Sequence, residues 1–180
     1  MIGPRPIVID ASVAIAIIRR EAAASVARTT IARWISLGRP LFVPSHFWLE
    51  VANTLFRRHR WNGQEVLTAF HDLEELGLET VEPGAAGRLL MLDAAERFGL
   101  SSYDAQYLAV AEELDGDLAT FDEALAIAAG PRSIAIDPAG RASETVPIYE
   151  RAVTWPRYTA VSAYLTALRV RETRDEAVAP

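Results

Sequence analysis

Short apolar runs alternate with helix-length amphipathic segments along this chain, and that alternation leaves few folds open to it. Ile7 to Ile9, Leu41 to Val43, Leu78 to Val81, Leu118 to Thr120 and Ser133 to Ile136 read as strands. The helical segments between them are Ala11 to Ile18, Ala22 to Leu37, Pro44-Ser45 to about Trp61, Glu65 to Leu76, Ala85 to Phe98, Tyr103 to Leu114 and Asp122 to Ala129. Val66, Ala69, Phe70, Leu73 and Leu76 recur at the helical period of about 3.6 residues. Gly38 with Pro40 breaks one segment, Asn62-Gly63 stops the next, and Ser101 or Ser102 can cap the helix from Tyr103. The strand runs lack polar alternation, as strands covered on both faces do. The succession predicts an α/β fold of three layers, α/β/α, with a central, mostly parallel sheet of four to five strands. Asp137-Pro138-Ala139-Gly140 marks a boundary, so residues 1–137 are expected to form the domain and 138–180 a C-terminal helical extension. In that extension Tyr158 to Arg171 reads as one amphipathic helix, with Val161, Tyr164, Leu165 and Leu168 on one face.

Two missing residue types remove whole chemistries. The chain has no cysteine, which excludes disulfides, thiolate zinc sites and cysteine nucleophiles, and fits a reducing cytoplasm. Lys and Arg total 18, and every one is Arg. Walker-type phosphate loops, Schiff-base enzymes and kinase or penicillin-binding motifs all need a Lys, so none is available. The net charge of −6 argues against nonspecific nucleic-acid binding, but not against a local Arg patch. There is no apolar run long enough for a membrane span. Ile7 to Ile18 after Arg5 has the length of a signal-peptide core, but Asp10 within it and Pro4 and Pro6 before it argue against that.

Asp10, Glu50, Asp104 and Asp122 stand out because each sits on the ordered framework yet is distant in sequence from the others. Asp10 and Asp122 follow predicted strands, and in open parallel sheets sites form beyond the carboxyl ends of strands. If those strands are neighbours, the two carboxylates face each other. Each has an ordinary alternative as a helix N-cap. Asp104 suits the first turn of its helix through the macrodipole, yet that helix is apolar nearly all round, and a charge at its mouth wants a partner. Glu50 shares a polar stripe with His46, Asn53, Arg57 and Arg60, which leads into the basic cluster Arg57-Arg58-His59-Arg60. The alternative there is a solvated face with a loose Glu50 contact to Asn53 or Arg57. Brought together, the four carboxylates make an all-oxygen site for a hard divalent cation, suited to phosphoryl hydrolysis.

Four segments carry a resemblance: Val8-Ile9-Asp10-Ala11-Ser12, Trp48-Leu49-Glu50-Val51-Ala52-Asn53, Ser102-Tyr103-Asp104-Ala105-Gln106-Tyr107-Leu108-Ala109 and Leu118-Ala119-Thr120-Phe121-Asp122. In this order they resemble the PIN-domain family, and within it the VapC toxins of toxin–antitoxin pairs, over about residues 5 to 137. The resemblance implies a metal-dependent ribonuclease whose Asp10, Glu50, Asp104 and Asp122 bind Mg²⁺ or Mn²⁺ and activate a water. It places the Ser12 and Thr120 hydroxyls near the cation or the scissile phosphate. It implies an RNA substrate, a small antitoxin of the VapB type and a homodimer. Asp117 is an outside candidate for the acidic cluster. Asn53, Arg57, Arg58 and Arg60 are the expected substrate-binding residues, the arginines on the RNA backbone. Tyr103, Trp48 or Trp61 could stack a base, although core packing is the default for each.

Rival readings differ in what they require. A haloacid-dehalogenase-type phosphatase needs a second Asp where Ser12 stands, a receiver domain needs a Lys, and a ferritin-like site needs Glu-x-x-His pairs. Two alternatives survive: a DNA-directed nuclease, and a catalytically weak module whose acidic crevice docks a basic partner. In the tail, Arg169, Arg171 and Arg174 could lie over that crevice, against the plainer expectation of a docked or frayed helix.

Overall fold

In the computed structural model, which describes residues 4–19, 24–134 and 136, the apolar runs form one five-stranded sheet. The strands are β1 (Ile7–Ile9), β2 (Leu41–Pro44), β3 (Leu78–Val81), β4 (Asp117–Ala119) and β5 (Ser133–Ile134). Every pairing is parallel, and the order across the sheet is β3-β2-β1-β4-β5. β1 is the centre, with Ile7 opposite both Leu41 and Asp117, and Ile9 opposite Ala119. Its three side chains are buried, as expected of a strand covered on both faces.

The connections are helical, as parallel strands require. α1 (Ala11–Ile18) and α2 (Ala24–Ser36) join β1 to β2, and α3 (Phe47–Arg57) and α4 (Gly63–Glu74) join β2 to β3. α5 (Ala85–Phe98) and α6 (Ser102–Glu113) lead to β4, and α7 (Glu123–Ala129) with a short 3-10 turn leads to β5. The chain therefore moves outward from β1 through β2 to β3, then returns to the far side of β1. The reversal leaves a crevice between the carboxyl ends of β1 and β4. The three-layer α/β/α architecture expected from the alternation is the one observed.

α6 is the most deeply buried helix near that crevice: Ala105 and every residue from Tyr107 to Ala111 are buried. α5 packs closely on it at Gly87, where an added Cβ would lie 2.5 Å from the Glu113 carboxylate. Among the described residues no helix is long and apolar enough to cross a membrane.

Local chemistry moves several boundaries from their expected places. Pro44 ends β2 instead of opening α3, and the sheet continues one residue further through the Ser45 N–H, which donates to the Val81 carbonyl at 3.1 Å. α3 ends at Arg57, and Arg60 takes a left-handed backbone conformation (φ 60°), so Arg60 leaves the polar stripe on which the helical period had put it. Asn62 does not stop α3; it starts α4. Its side chain accepts from the Gln64 and Glu65 N–H groups at 2.9 and 3.1 Å, and Glu65 Oε2 accepts from the Asn62 N–H at 2.7 Å. This reciprocal pair is a capping box. β5 is shorter than expected, and β4 starts one residue earlier, at Asp117. The boundary at Asp137, the extension 138–180 and its helix Tyr158 to Arg171 lie outside the described residues.

Loss of that capping box should be measurable without touching the crevice. Asn62→Ala is expected to lower the unfolding free energy by about 1 kcal/mol, read as a lower urea midpoint at unchanged m-value.

Candidate active site

Asp10 occupies the first position beyond β1. Its N–H donates to the Ala119 carbonyl at 3.0 Å, which extends the β1–β4 ladder by one residue. Its carbonyl accepts from Val13 and so begins α1, while its carboxylate turns to side-chain donors. Oδ2 accepts from the Thr120 hydroxyl at 2.7 Å and from the Ser12 hydroxyl. Both hydroxyls are themselves oriented by backbone: Ser12 Oγ accepts from the Phe121 N–H at 3.0 Å, and Thr120 Oγ1 from the Asp122 N–H at 2.9 Å. Two amides of the β4–α7 turn thus point two hydroxyls at one carboxylate of the β1–α1 turn. Asp10 is almost wholly buried, and burial pushes its pKa up against the lowering effect of those bonds.

Glu50 reaches the same crevice from the first turn of α3. Its Oε2 accepts from the Tyr107 hydroxyl at 2.8 Å, and His46 Nε2 stands 3.8 Å away. Burial raises the Glu50 pKa; the Tyr107 bond opposes this, and the negative charges of Asp10 and Asp104 add to it. Tyr107 is fully buried, and burial together with the charges of Asp10 and Glu50 drives its pKa far upward, so its hydroxyl remains a donor. Asp104 lies in the first turn of α6 within a reciprocal cap: its N–H donates to Ser101 Oγ at 3.1 Å, and that hydroxyl donates to Asp104 Oδ2 at 2.6 Å.

The fold therefore draws Asp10, Glu50 and Asp104 into one electrostatic neighbourhood. Asp122 stands beside them through the Thr120 link, but it is exposed and its Oδ1 caps α7, accepting from the Leu125 N–H at 2.7 Å. Among the described residues no three His, Asp or Glu side chains converge closely enough to cage an ion. The carboxylates form an open rim. Its donor chemistry still fits a hard divalent cation: the donors are carboxylate oxygens, and Asp10 and Glu50 resist ionising beside each other. Away from this rim, Arg5 and Arg39 pair with Asp117, and Arg132 and Arg5 with Asp115.

Those pairs also dispose of Asp117 as a member of the cluster. It opens β4 at the amino-terminal edge of the sheet, opposite Ile7, and serves as an anchor for Arg5 and Arg39. Asn53, Arg57, Arg58 and Arg60 are all exposed, and among the described residues no hydrogen bond or ion pair joins them to Glu50. Trp48 packs edge-on against Phe47 and Phe70 and donates to Thr80 Oγ1 at 3.0 Å, so core packing accounts for it. Trp61 also packs on the core, whereas Tyr103 is 66% exposed beside the rim. Two site residues escaped sequence reasoning in their roles: Tyr107, three positions after Asp104, and His46, one helical turn before Glu50. Their spacing put them on the right helix faces, but an aromatic on an apolar helix reads first as core.

Parallel order, switch point and gathered carboxylates together define a nuclease-like α/β fold. The family model of the PIN domain matches residues 7–131, and the chain belongs to the PIN-domain family. PIN domains are as a rule metal-dependent nucleases, which makes a hydrolase of this class the supported reading. The chain is similar to the crystal structure of PAE2754 from Pyrobaculum aerophilum, at 23% identity and a TM-score of 0.51, over 69% of this chain and 79% of that one; the likeness is one of fold. No curated protein matches the chain.

The raised carboxylates set a sign for pH dependence. A carboxyl group whose pKa is raised in the folded state holds its proton where the unfolded chain has released it. Its contribution is most favourable below the ordinary carboxylate range of about 4 and is lost as pH rises through the raised value. In metal-free protein, Asp10→Asn should therefore stabilise the fold, and by more at pH ~8 than at pH ~4. Urea unfolding in EDTA across that interval measures it; a stability gain that shrinks with rising pH would contradict the assignment.

Proposed function

We propose that this protein is a metal-dependent endoribonuclease of the VapC type, the toxin of a toxin–antitoxin pair, acting on RNA phosphodiesters with Mg²⁺ or Mn²⁺. The observation that carries the proposal is the buried Asp10 carboxylate, held by the Ser12 and Thr120 hydroxyls and sharing its crevice with Glu50 and Asp104. Asp10, Glu50 and Asp104 would hold the cation, with Asp122 at the rim. When bound, a divalent cation lowers the pKa of water and offsets charge on phosphoryl oxygens.

The chain's own residues supply the rest. Ser12 and Thr120 fix the Asp10 oxygen that they bond, and Tyr107 fixes one oxygen of Glu50. Arg57, Arg58 and Arg60 are exposed at and beyond the end of α3, where they can neutralise backbone phosphates. The exposed Tyr103 ring offers a surface on which an unstacked base can lie. A VapB-type antitoxin, a homodimer and a cytoplasmic setting belong to the same proposal. The open rim favours one competing reading: an acidic crevice that docks a basic partner and catalyses weakly.

Cleavage assays on partner-free protein separate these readings. RNA and single-stranded DNA of matched sequence are incubated with Mg²⁺, with Mn²⁺ and with EDTA. Cleavage of RNA that needs the cation is expected, and Asp10→Asn should reduce it at least ~100-fold, the scale of losing a group that stabilises developing charge. Circular dichroism confirms that the variant folds. Activity undiminished by EDTA would sink the mechanism, DNA-selective cleavage would turn the assignment to a DNA nuclease, and no cleavage would favour the docking module.

A second measurement tests the basic cluster. Arg57→Ala with Arg58→Ala should weaken RNA binding and flatten the dependence of log K on log salt by about 0.7 per lost phosphate contact. An unchanged slope removes these residues from the substrate path.

A further inference from the structure

We infer that His46 is a nitrogen ligand of this site and biases it toward first-row transition ions over Mg²⁺; this rests on reading the carboxylate rim as a cation site. His46 is the N-cap residue of α3, one turn before Glu50, with a helical backbone conformation (φ −71°, ψ −16°). That spacing sets its ring beside the Glu50 carboxylate, with Nε2 3.8 Å from Oε2.

Both imidazole nitrogens are buried, and among the described residues neither has a hydrogen-bond partner. With no other partner, the ring keeps a nitrogen lone pair free for a cation. It is also held in place: its centroid is 4.8 Å from Tyr107, edge-on, and 5.7 Å from Tyr103.

An apolar side chain would fill this slot without leaving two polar atoms unsatisfied. Elsewhere the crevice is well supplied: Asp10 has two hydroxyl donors, Glu50 has Tyr107, and Asp104 has Ser101. The orphaned nitrogens sit beside the two carboxylates that the fold sends in from α3 and α6. A cation held by Glu50 would accept a nitrogen lone pair and satisfy one of them.

The consequence is selectivity. Mg²⁺ takes oxygen donors and retains its waters, so an all-carboxylate rim separates it poorly from Mn²⁺. Imidazole suits transition ions, so one nitrogen in the donor set shifts the preference to them.

The test uses the full-length, untagged chain, free of any partner, with Mn²⁺ as the spectroscopic probe. Electron spin-echo modulation of bound Mn²⁺ is expected to show nitrogen-14 coupling, and His46→Gln should remove it. Calorimetric titration with Mn²⁺ and with Mg²⁺ gives an affinity ratio that should fall at least ~10-fold in His46→Gln. Mn²⁺ bound without nitrogen coupling, or a ratio unchanged in the variant, overturns the role of His46 and leaves the cation site standing. Failure of both ions to bind overturns the cation site as well. Should His46→Gln not fold, the wild-type spectrum alone decides.

Discussion

The hydrogen bonds that converge on Asp10 join the two halves of this fold. Its backbone extends the β1–β4 ladder, while its carboxylate receives hydroxyls aimed by the β4–α7 turn. β1 and β4 are far apart in sequence but neighbours in space, and the chain reverses its winding direction between them. Such a switch point leaves strand ends uncovered, with polar backbone facing a crevice. The turn amides there do not stay unpaired: through Ser12 and Thr120 they lend their donor capacity to a carboxylate. One network thus satisfies the sheet's open end and orients the group that the site needs.

The same burial makes the site electrostatically uneasy. Asp10 and Glu50 are placed where their charged forms are poorly solvated and repel each other. A structural role would be served better by a buried arginine partner or by apolar side chains. Among the described residues, Arg5, Arg39 and Arg132 pair with Asp115 and Asp117 at the opposite edge of the sheet, where they fasten the amino-terminal ends of β1 and β4. Those ion pairs sit at the end of the sheet away from the crevice. The fully buried β1 and the buried face of α6 hold the crevice carboxylates in place.

Much of this was readable before any coordinates, and what was not has specific causes. Strand positions and the parallel sheet followed from apolar runs separated by helix-length segments, because only helical crossovers join parallel strands. The side on which β4 pairs with β1 was beyond that pattern, since no local signal distinguishes one edge of a sheet from the other. Pro44 and Asn62 were misread because each residue type serves two purposes. Proline opens helices but also ends strands, and Asn-Gly closes one element while asparagine caps the next. At the site, Asp10 and Asp122 were equal candidates for capping. The structure divides them: Asp122 caps its helix on the Leu125 amide, whereas the Asp10 carboxylate takes the Ser12 and Thr120 hydroxyls. Side-chain partners that follow from packing two separate helices, such as Tyr107 on Glu50, have no signature in spacing along either of them.

The helix that contributes Tyr107 shows how packing and chemistry are coupled. α6 is buried so thoroughly that a hydroxyl on it must find an acceptor or lose free energy. The acceptor within reach is a carboxylate of α3, so burial of α6 fixes Glu50 as a by-product of satisfying the tyrosine. Asp104, one turn earlier on the same helix, is fixed by its own cap with Ser101. Moving α6 by even a fraction of a side chain would shift both carboxylates together relative to Asp10. α5 packs closely along the same helix at Gly87, where an added Cβ would meet the end of the Glu113 side chain.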